Sequence, residues 1–328
     1  MGDKWLFISE DDYKEKMEKV VEPTLRECKQ SGFFKGKGGA KLHYELFLHP
    51  DSKGGIVISH GFCEYAKKFW EVVFYFYQAG YSVFIMEHRG HGYSDRFVLD
   101  ASMVHVDSFD DYVVDFHLFV KQVVNTRETK DLILYGHSMG GAIAALYLEQ
   151  YPNDFCAAIL SSPMFEMNVG KLPLPIVFLW ASYKKWRHAG EEYVPGHGAY
   201  QEREYQSRGT IGRSEARYQH IFKQRIEEKS YRSNGASYGW TLAGIKAVHK
   251  LQRKAKKIEV PVLLLQAGAD TVVKNRGQNR FARRAKQVQL VVLRQSAHEL
   301  YNSDYKTRRR YYNTIFNFLA TQAKEHAH

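Results

Sequence analysis

The feature that most constrains this 328-residue chain is a repeating alternation of short, predominantly apolar runs with longer helical patterns. Strand-like runs at Gly55–Ser59, Tyr81–Glu87, Asp131–Tyr135 and Cys156–Ser161 are separated by helical patterns at Tyr65–Ala79, Ser108–Thr126 and Met139–Gln150. A strand with no polar alternation is buried on both faces, so the pattern predicts a mostly parallel sheet covered by helices on each side. Ahead of it, Ser9 and Asp12 form a capping-box pattern opening a helix through Val20. Phe33–Lys37 and Lys41–Leu48 flank Gly38-Gly39 as a hairpin. The rhythm stops at Pro163 and returns with strands at Val260–Ala267 and Val288–Leu293 and helices at Arg276–Arg284 and Tyr305–Ala323. The expected organisation is an α/β core from residues 1–163 and 256–328, interrupted by a mainly helical cap over 164–255.

An apolar fraction of 44%, a charged fraction of 25% and a mean hydropathy of −0.46 are those of a globular chain. The longest uncharged apolar run, Leu172–Tyr183, holds two prolines and is too short to span a bilayer, which takes about 20 residues. Met1–Gly32 is charged throughout and lacks the apolar stretch of a signal peptide. Three scattered cysteines make neither a disulfide framework nor a zinc site. These features lead to the expectation of a cytoplasmic protein, or one held peripherally on the cytoplasmic face of a membrane. The net charge of +11 is regional: −6 over residues 1–183 and +10 over 184–257. Nucleic acid and an anionic membrane surface both answer to such an excess. No metal–carboxylate cluster, Walker A or dinucleotide glycine pattern accompanies it, so the lipid reading is preferred.

Gly136-His137-Ser138-Met139-Gly140 fits G-x-S-x-G, a tight strand-to-helix turn that exposes a serine Oγ. Gly235-Ala236-Ser237-Tyr238-Gly239 fits it too, and context separates the pair. Ser138 follows the strand run DLILY and precedes a small-residue helix, whereas Ser237 follows polar residues inside the expected cap and reads as a turn residue. Ser138 is therefore the candidate nucleophile. A serine needs a base, and the base needs a carboxylate to hold its tautomer. Asp270 and His298 each follow one of the last two strand runs, so both leave the same edge of the sheet as Ser138. Asp304 is the second choice of acid, explained equally by a helix start. Oxyanion donors are expected at the Met139 N–H and, from the His60–Glu64 loop after the first core strand, the Phe62 N–H. His88 and His91 on a glycine-rich loop suggest a metal, but no third ligand has suitable spacing, and a structural role is preferred.

With His60-Gly61, Glu87–Asp95 (EHRGHGYSD), Gly136–Gly140, the Asp270 loop, Ala297–Leu300 and Ser161–Phe165 together, the chain resembles the lysophospholipase and monoacylglycerol lipase branch of the α/β-hydrolases, bacterial lysophospholipases above all. The resemblance covers most of the core and matches the cap loosely. It implies an α/β-hydrolase fold, Ser138, Asp270 and His298 as triad, and Phe62 and Met139 as oxyanion donors. It also implies substrate-binding roles for Glu64, which stands where monoacylglycerol lipases contact glycerol, and for Lys68, where that group carries arginine. Phe62 and Cys63 replace the small residues often found after His-Gly.

The resulting expectation is a serine hydrolase that cleaves the acyl ester of a single-chain lipid, a lysophospholipid first, through an acyl-enzyme, with no cofactor and no metal. Monoacylglycerol, a short soluble ester and an N-terminal peptide bond stay open as substrates, as do water and a second lipid's hydroxyl as acyl acceptors. A non-catalytic binding protein is the remaining class. The run Leu172–Tyr183, flanked by Lys184-Lys185-Trp186-Arg187, is read as a membrane-facing segment, an acyl-tunnel wall or a buried cap helix. Oligomeric state is not legible.

Overall fold

The computed structural model describes residues 6–128, 131–207 and 212–325. Short helices α1 (Tyr13–Lys16) and α2 (Glu22–Cys28), joined by a wide turn at Met17–Val21, precede the first strand. The Ser9 N–H donates to Asp12 Oδ1 at 3.0 Å and the Asp12 N–H to Ser9 Oγ at 3.3 Å, the reciprocal cap its sequence suggests. Strands β1 (Lys29–Lys35) and β2 (Lys41–Phe47) form the hairpin, turning through Gly38 and Gly39 at φ 69° and 82°. β1 begins at Lys29, earlier than expected, because β2 pairs back as far as Phe47. Its opening Lys29-Gln30-Ser31 carries no apolar signal, as suits an edge strand.

The core then runs β3 (Gly55–Ser59), α3 (Trp70–Gln78), β4 (Ser82–Met86), a two-residue strand β5 (Met103–Val104), α4 (Phe109–Phe119), β6 (Leu132–His137), α5 (Met139–Gln150) and β7 (Ala157–Ser161). Between β7 and the next core strand lie α6 (Leu174–Trp186), α7 (Glu215–Glu227), a two-residue strand β8 (Gly235–Ala236) and α8 (Tyr238–Lys254). β9 (Val262–Ala267), α9 (Asn275–Ala282), β10 (Val288–Leu293) and α10 (Tyr305–Glu325) complete the chain. The eight-stranded sheet has the order β1-β2-β4-β3-β6-β7-β9-β10. Only the β1–β2 and β2–β4 pairs are antiparallel. Every residue of β3, β4, β6, β7 and β9 is buried, as their unalternated apolar composition requires.

Helix α8, the last helix of the segment between β7 and β9, packs directly on the core. Trp240 of α8 packs on Phe109 of α4 at 5.6 Å, and the Gln252 amide donates to the carbonyls of Phe165 and Gly277. The β5–β8 pair, too short for any apolar pattern, ties the loop after β4 to the start of α8.

Helix α7 is held by a buried knot of charge. The fully buried Arg217 pairs with Glu71 of α3 at 2.7 Å and with Glu10 at 2.8 Å. Arg308 of α10, also fully buried, pairs with Glu10 at 2.9 Å and donates to the Ile8 carbonyl. One cluster thus joins the N-terminal segment, a core helix, the C-terminal helix and α7. Arg217→Met would leave Glu71 buried beside one fewer cation. The expected loss is about 3–5 kcal/mol of stability, read as a lowered urea midpoint.

Candidate active site

Ser138 occupies the turn between β6 and α5 with φ 51° and ψ −117°, a conformation in which a residue with a Cβ is strained. Neighbouring bonds hold it there. Its N–H donates to the Ser161 carbonyl at 3.1 Å, and its own carbonyl accepts from Met164 at 2.8 Å and Ala142 at 3.2 Å. The flanking glycines are required by close approach. A Cβ on Gly140 would lie 2.0 Å from the Ser59 carbonyl oxygen and 2.4 Å from that of His60. One on Gly136 would lie 2.8 Å from the Gly141 Cα. The first glycine lets α5 start against the end of β3, and the second lets it fold back over β6.

Three side chains form a continuous hydrogen-bond chain. His298 Nε2 lies 2.8 Å from Ser138 Oγ, and His298 Nδ1 lies 2.7 Å from Asp270 Oδ2. The other Asp270 oxygen accepts the N–H groups of Val272 at 2.8 Å and Val273 at 3.0 Å, which fixes the carboxylate's orientation. Ser138 is only 7% exposed. Asp304, the second-choice acid, instead caps α10 through the Thr307 N–H at 3.0 Å. Among the described residues, neither the Phe62 nor the Met139 N–H has an acceptor, the latter being the first N–H of α5. The Phe62 ring turns away onto Trp240, 4.5 Å between centroids.

The second G-x-S-x-G makes an instructive contrast. Ser237 also meets a histidine, His105 Nδ1 at 2.8 Å, and also opens a helix. Its backbone is relaxed, at φ −80° and ψ 165°, its Oγ accepts the Trp240 N–H at 3.0 Å, and it is fully buried. It is a helix cap with no face to solvent.

Glu64 and Lys68 are placed beside the site but bound to the protein. Glu64 Oε1 receives the Lys68 ammonium and the Tyr301 hydroxyl, each at 2.7 Å, and Oε2 accepts the Gly61 N–H. Lys68 also pairs with Glu299 at 2.8 Å. Burial opposes ionisation of Glu64, yet the Lys68 charge, the neighbouring His137 and the hydrogen bonds from Lys68 and Tyr301 together outweigh it and hold the carboxyl well below its ordinary range. His137, 3.8 Å from Glu64 and with its ring 5.0 Å from that of His298, is pushed down to about 4 by burial and is neutral. Glu299, Tyr301 and His137 were not singled out from sequence. The available signals were a carboxylate next to His298 and a Glu64/Lys68 spacing of four.

Two other sequence features also find their place. Burial pushes the Cys63 thiol up to about 12, which makes it a poor nucleophile. His60 packs against His88 and His91 in a buried cluster of tilted and edge-on rings, yet no group of three side chains able to hold a metal ion occurs among the described residues. All three histidines are kept neutral by burial.

The sequence profile of the family described as serine aminopeptidase S33 matches residues 50–304. A probable lysophospholipase L2 of Haemophilus influenzae is 28% identical over 296 residues, 89% of this chain and 92% of that protein. Lysophospholipase L2 of Escherichia coli is 30% identical over 252 residues, 76% of this chain and 73% of that protein. Among solved structures, a monoacylglycerol lipase of Paleococcus ferrophilus superposes with a TM-score of 0.67 at 19% identity, covering 86% of this chain and 99% of that one. That likeness bears on the fold, an α/β-hydrolase.

A fluorophosphonate probe is expected to label Ser138 alone. Ser138→Ala should abolish labelling while Ser237→Ala leaves it intact, with peptide mass spectrometry as the check. Labelling at Ser237 would overturn the distinction drawn from backbone strain and burial.

Proposed function

We propose that this chain, which belongs to the serine aminopeptidase S33 family of α/β-hydrolases, hydrolyses the acyl ester of a single-chain lipid, a lysophospholipid in preference to a monoacylglycerol. The observation that carries the catalytic part is the unbroken Asp270–His298–Ser138 hydrogen-bond chain on the strained turn. His298 Nε2 takes the Ser138 proton as Oγ attacks the ester carbonyl. The oxyanion forms against the Phe62 and Met139 N–H groups, each worth about 3–4 kcal/mol in comparable sites. Collapse breaks the ester C–O bond, and His298 returns its proton to the departing alkoxide. Water, activated by the same imidazole, then releases the fatty acid. Asp270 keeps the imidazole oriented through His298 Nδ1.

The names of the bacterial relatives support a lysophospholipid substrate, and the basic excess over residues 184–257 agrees with it. Release of an N-terminal amino acid is the weaker reading. It calls for a free carboxylate close to Ser138 to hold the substrate ammonium, whereas Glu64, buried beside the triad, and the partly buried Glu299 next to His298 are both paired with Lys68.

Residues 164–255 act in this reading as the cap, and α6 as its membrane-facing part. Leu179, Trp180 and Trp186 are 66%, 52% and 72% exposed, and the exposed Lys171 and Arg187 flank the helix. Apolar residues and tryptophan on one helix between basic flanks suit the surface of an anionic bilayer. No helix among the described residues is long and apolar enough to cross a membrane.

Two measurements test these statements. Purified protein should release fatty acid from lysophosphatidylethanolamine faster than from a monoacylglycerol of the same chain, and Ser138→Ala should reduce both to background. Equal or faster cleavage of monoacylglycerol removes the headgroup preference and leaves the esterase. Leu179→Ser with Trp186→Ala should weaken sedimentation with phosphatidylglycerol vesicles by at least about tenfold, the effect of losing roughly 1.5 kcal/mol, the low end for one fully buried large side chain. Unchanged sedimentation would discard the α6 contact.

A further inference from the structure

A cavity of about 920 Å³ opens beside the candidate site, within the usual range for ligand pockets. Its inner end is lined by Cys63 and Glu299, the residues directly after Phe62 and His298, and its outer wall comes from residues 196–207 and from α7. Tyr65 ties the two sides together. Its ring stacks on Tyr231 at 3.7 Å, and its hydroxyl donates to Gln224 of α7 at 3.1 Å. Next to Gln224, Arg225 lines the cavity, as does Tyr200, over whose ring its guanidinium lies.

That guanidinium is oriented but not neutralised. Nε donates to the Tyr231 carbonyl at 3.2 Å, Nη2 donates to the Ser233 carbonyl at 2.8 Å, and the group lies 5.0 Å over the Tyr200 ring. Among the described residues no carboxylate pairs with it, whereas Arg232 nearby is paired with Glu202 at 3.0 Å and Arg217 with Glu10 and Glu71. The wall also carries carboxylates, none of them on Arg225. Glu299 is paired with Lys68, Glu215 accepts the Ser207 hydroxyl at 2.9 Å, and Glu204 is exposed. The Arg225 charge reaches the oxyanion loop. Of the groups around Cys63 and Tyr65 it is the one that most opposes the upward push of burial on their ionisation.

We propose that this cavity is a phosphate-binding subsite in which Arg225 receives the phosphodiester of the substrate headgroup. The proposal rests on the lipid-ester reading above and names the residue that reads the headgroup. Two carbonyls and an aromatic face hold the planar fork, leaving its remaining N–H groups for phosphate oxygens, whose geometry it matches. A monoacylglycerol brings no charge to this position, so Arg225 separates the two lipid classes.

The test compares kcat/KM on lysophosphatidylethanolamine and on a monoacylglycerol of the same chain for wild type, Arg225→Gln and Arg225→Lys. In Arg225→Gln the ratio of the two values should fall by about tenfold or more, as expected for loss of a charged hydrogen bond. Arg225→Lys should recover part of it. An equal loss on both substrates, or an unchanged ratio, overturns the proposal. A second measurement needs no variant: glycerophosphoethanolamine, inorganic phosphate and glycerol are each tried as inhibitors of wild-type monoacylglycerol hydrolysis. Inhibition by either phosphate compound beyond that by glycerol supports the subsite, and the stronger of the two identifies a lipid headgroup or free phosphate as its occupant. Inhibition by neither overturns it. A wild-type protein that cleaves neither ester would instead overturn the function from which the proposal starts.

Discussion

The tight turn at Ser138 is the constraint on which the rest of the arrangement depends. A residue with a Cβ at φ 51° persists only where its surroundings over-determine it. Here they do so through the Ser161 carbonyl, the Met164 N–H and two glycine contacts. The Gly140 contact has the wider effect. By letting α5 start against the carbonyls of Ser59 and His60, it brings the exit of β3 alongside the exit of β6. The loop that carries the Phe62 N–H and the helix that carries the Met139 N–H are thereby set side by side. Parallel pairing of β7, β9 and β10 delivers the Asp270 and His298 loops to the same edge.

Around this turn, buried charge does the aligning that a purely apolar core cannot. Glu64, Lys68 and Glu299 link the loop after β3 to the loop after β10, with Tyr301 and His137 closing the network. Each buried ion is compensated, which is the condition under which such groups are tolerated. A second cluster, around Arg217 and Arg308, fastens α7 to the N-terminal segment and to two core helices. The first cluster supplies Lys68 and Glu299 to the cavity that Arg225 lines, and the second fastens α7, which supplies another of its walls.

The basic character of residues 184–257 resolves into different environments. Some cations are neutralised locally, as Lys184 is by Glu192 and Lys185 by Asp107. Arg225 faces the cavity without a carboxylate, and Arg187 is exposed at the end of α6. The apolar run of α6 is largely exposed. Sequence leaves a buried cap helix open for the same residues, because composition and periodicity do not distinguish an outward face from an inward one when the partner surface is unknown.

Much of the core was legible along the chain because its signals are local. Apolar runs bounded by turns locate strands such as Gly55–Ser59 and Val288–Leu293, which coincide with β3 and β10, and Met139–Gln150, which coincides with α5. The G-x-S-x-G pattern and the placement of Asp270 and His298 after strand runs were likewise in the sequence, since strand direction decides which loops share an edge. The two-residue β5–β8 pair and the early start of β1 were not, because their residues carry no apolar period and pair only when a partner strand arrives. Nor were the roles of charged residues. Whether Glu64 and Lys68 face a ligand or each other, whether Arg225 is neutralised, and which of two serine motifs is strained are settled by groups tens to hundreds of residues away. Sequence by itself determined the order of strands and helices and the residue types at the loop ends. Tertiary structure alone decided which polar groups meet, because that depends on distances through space that no local spacing encodes.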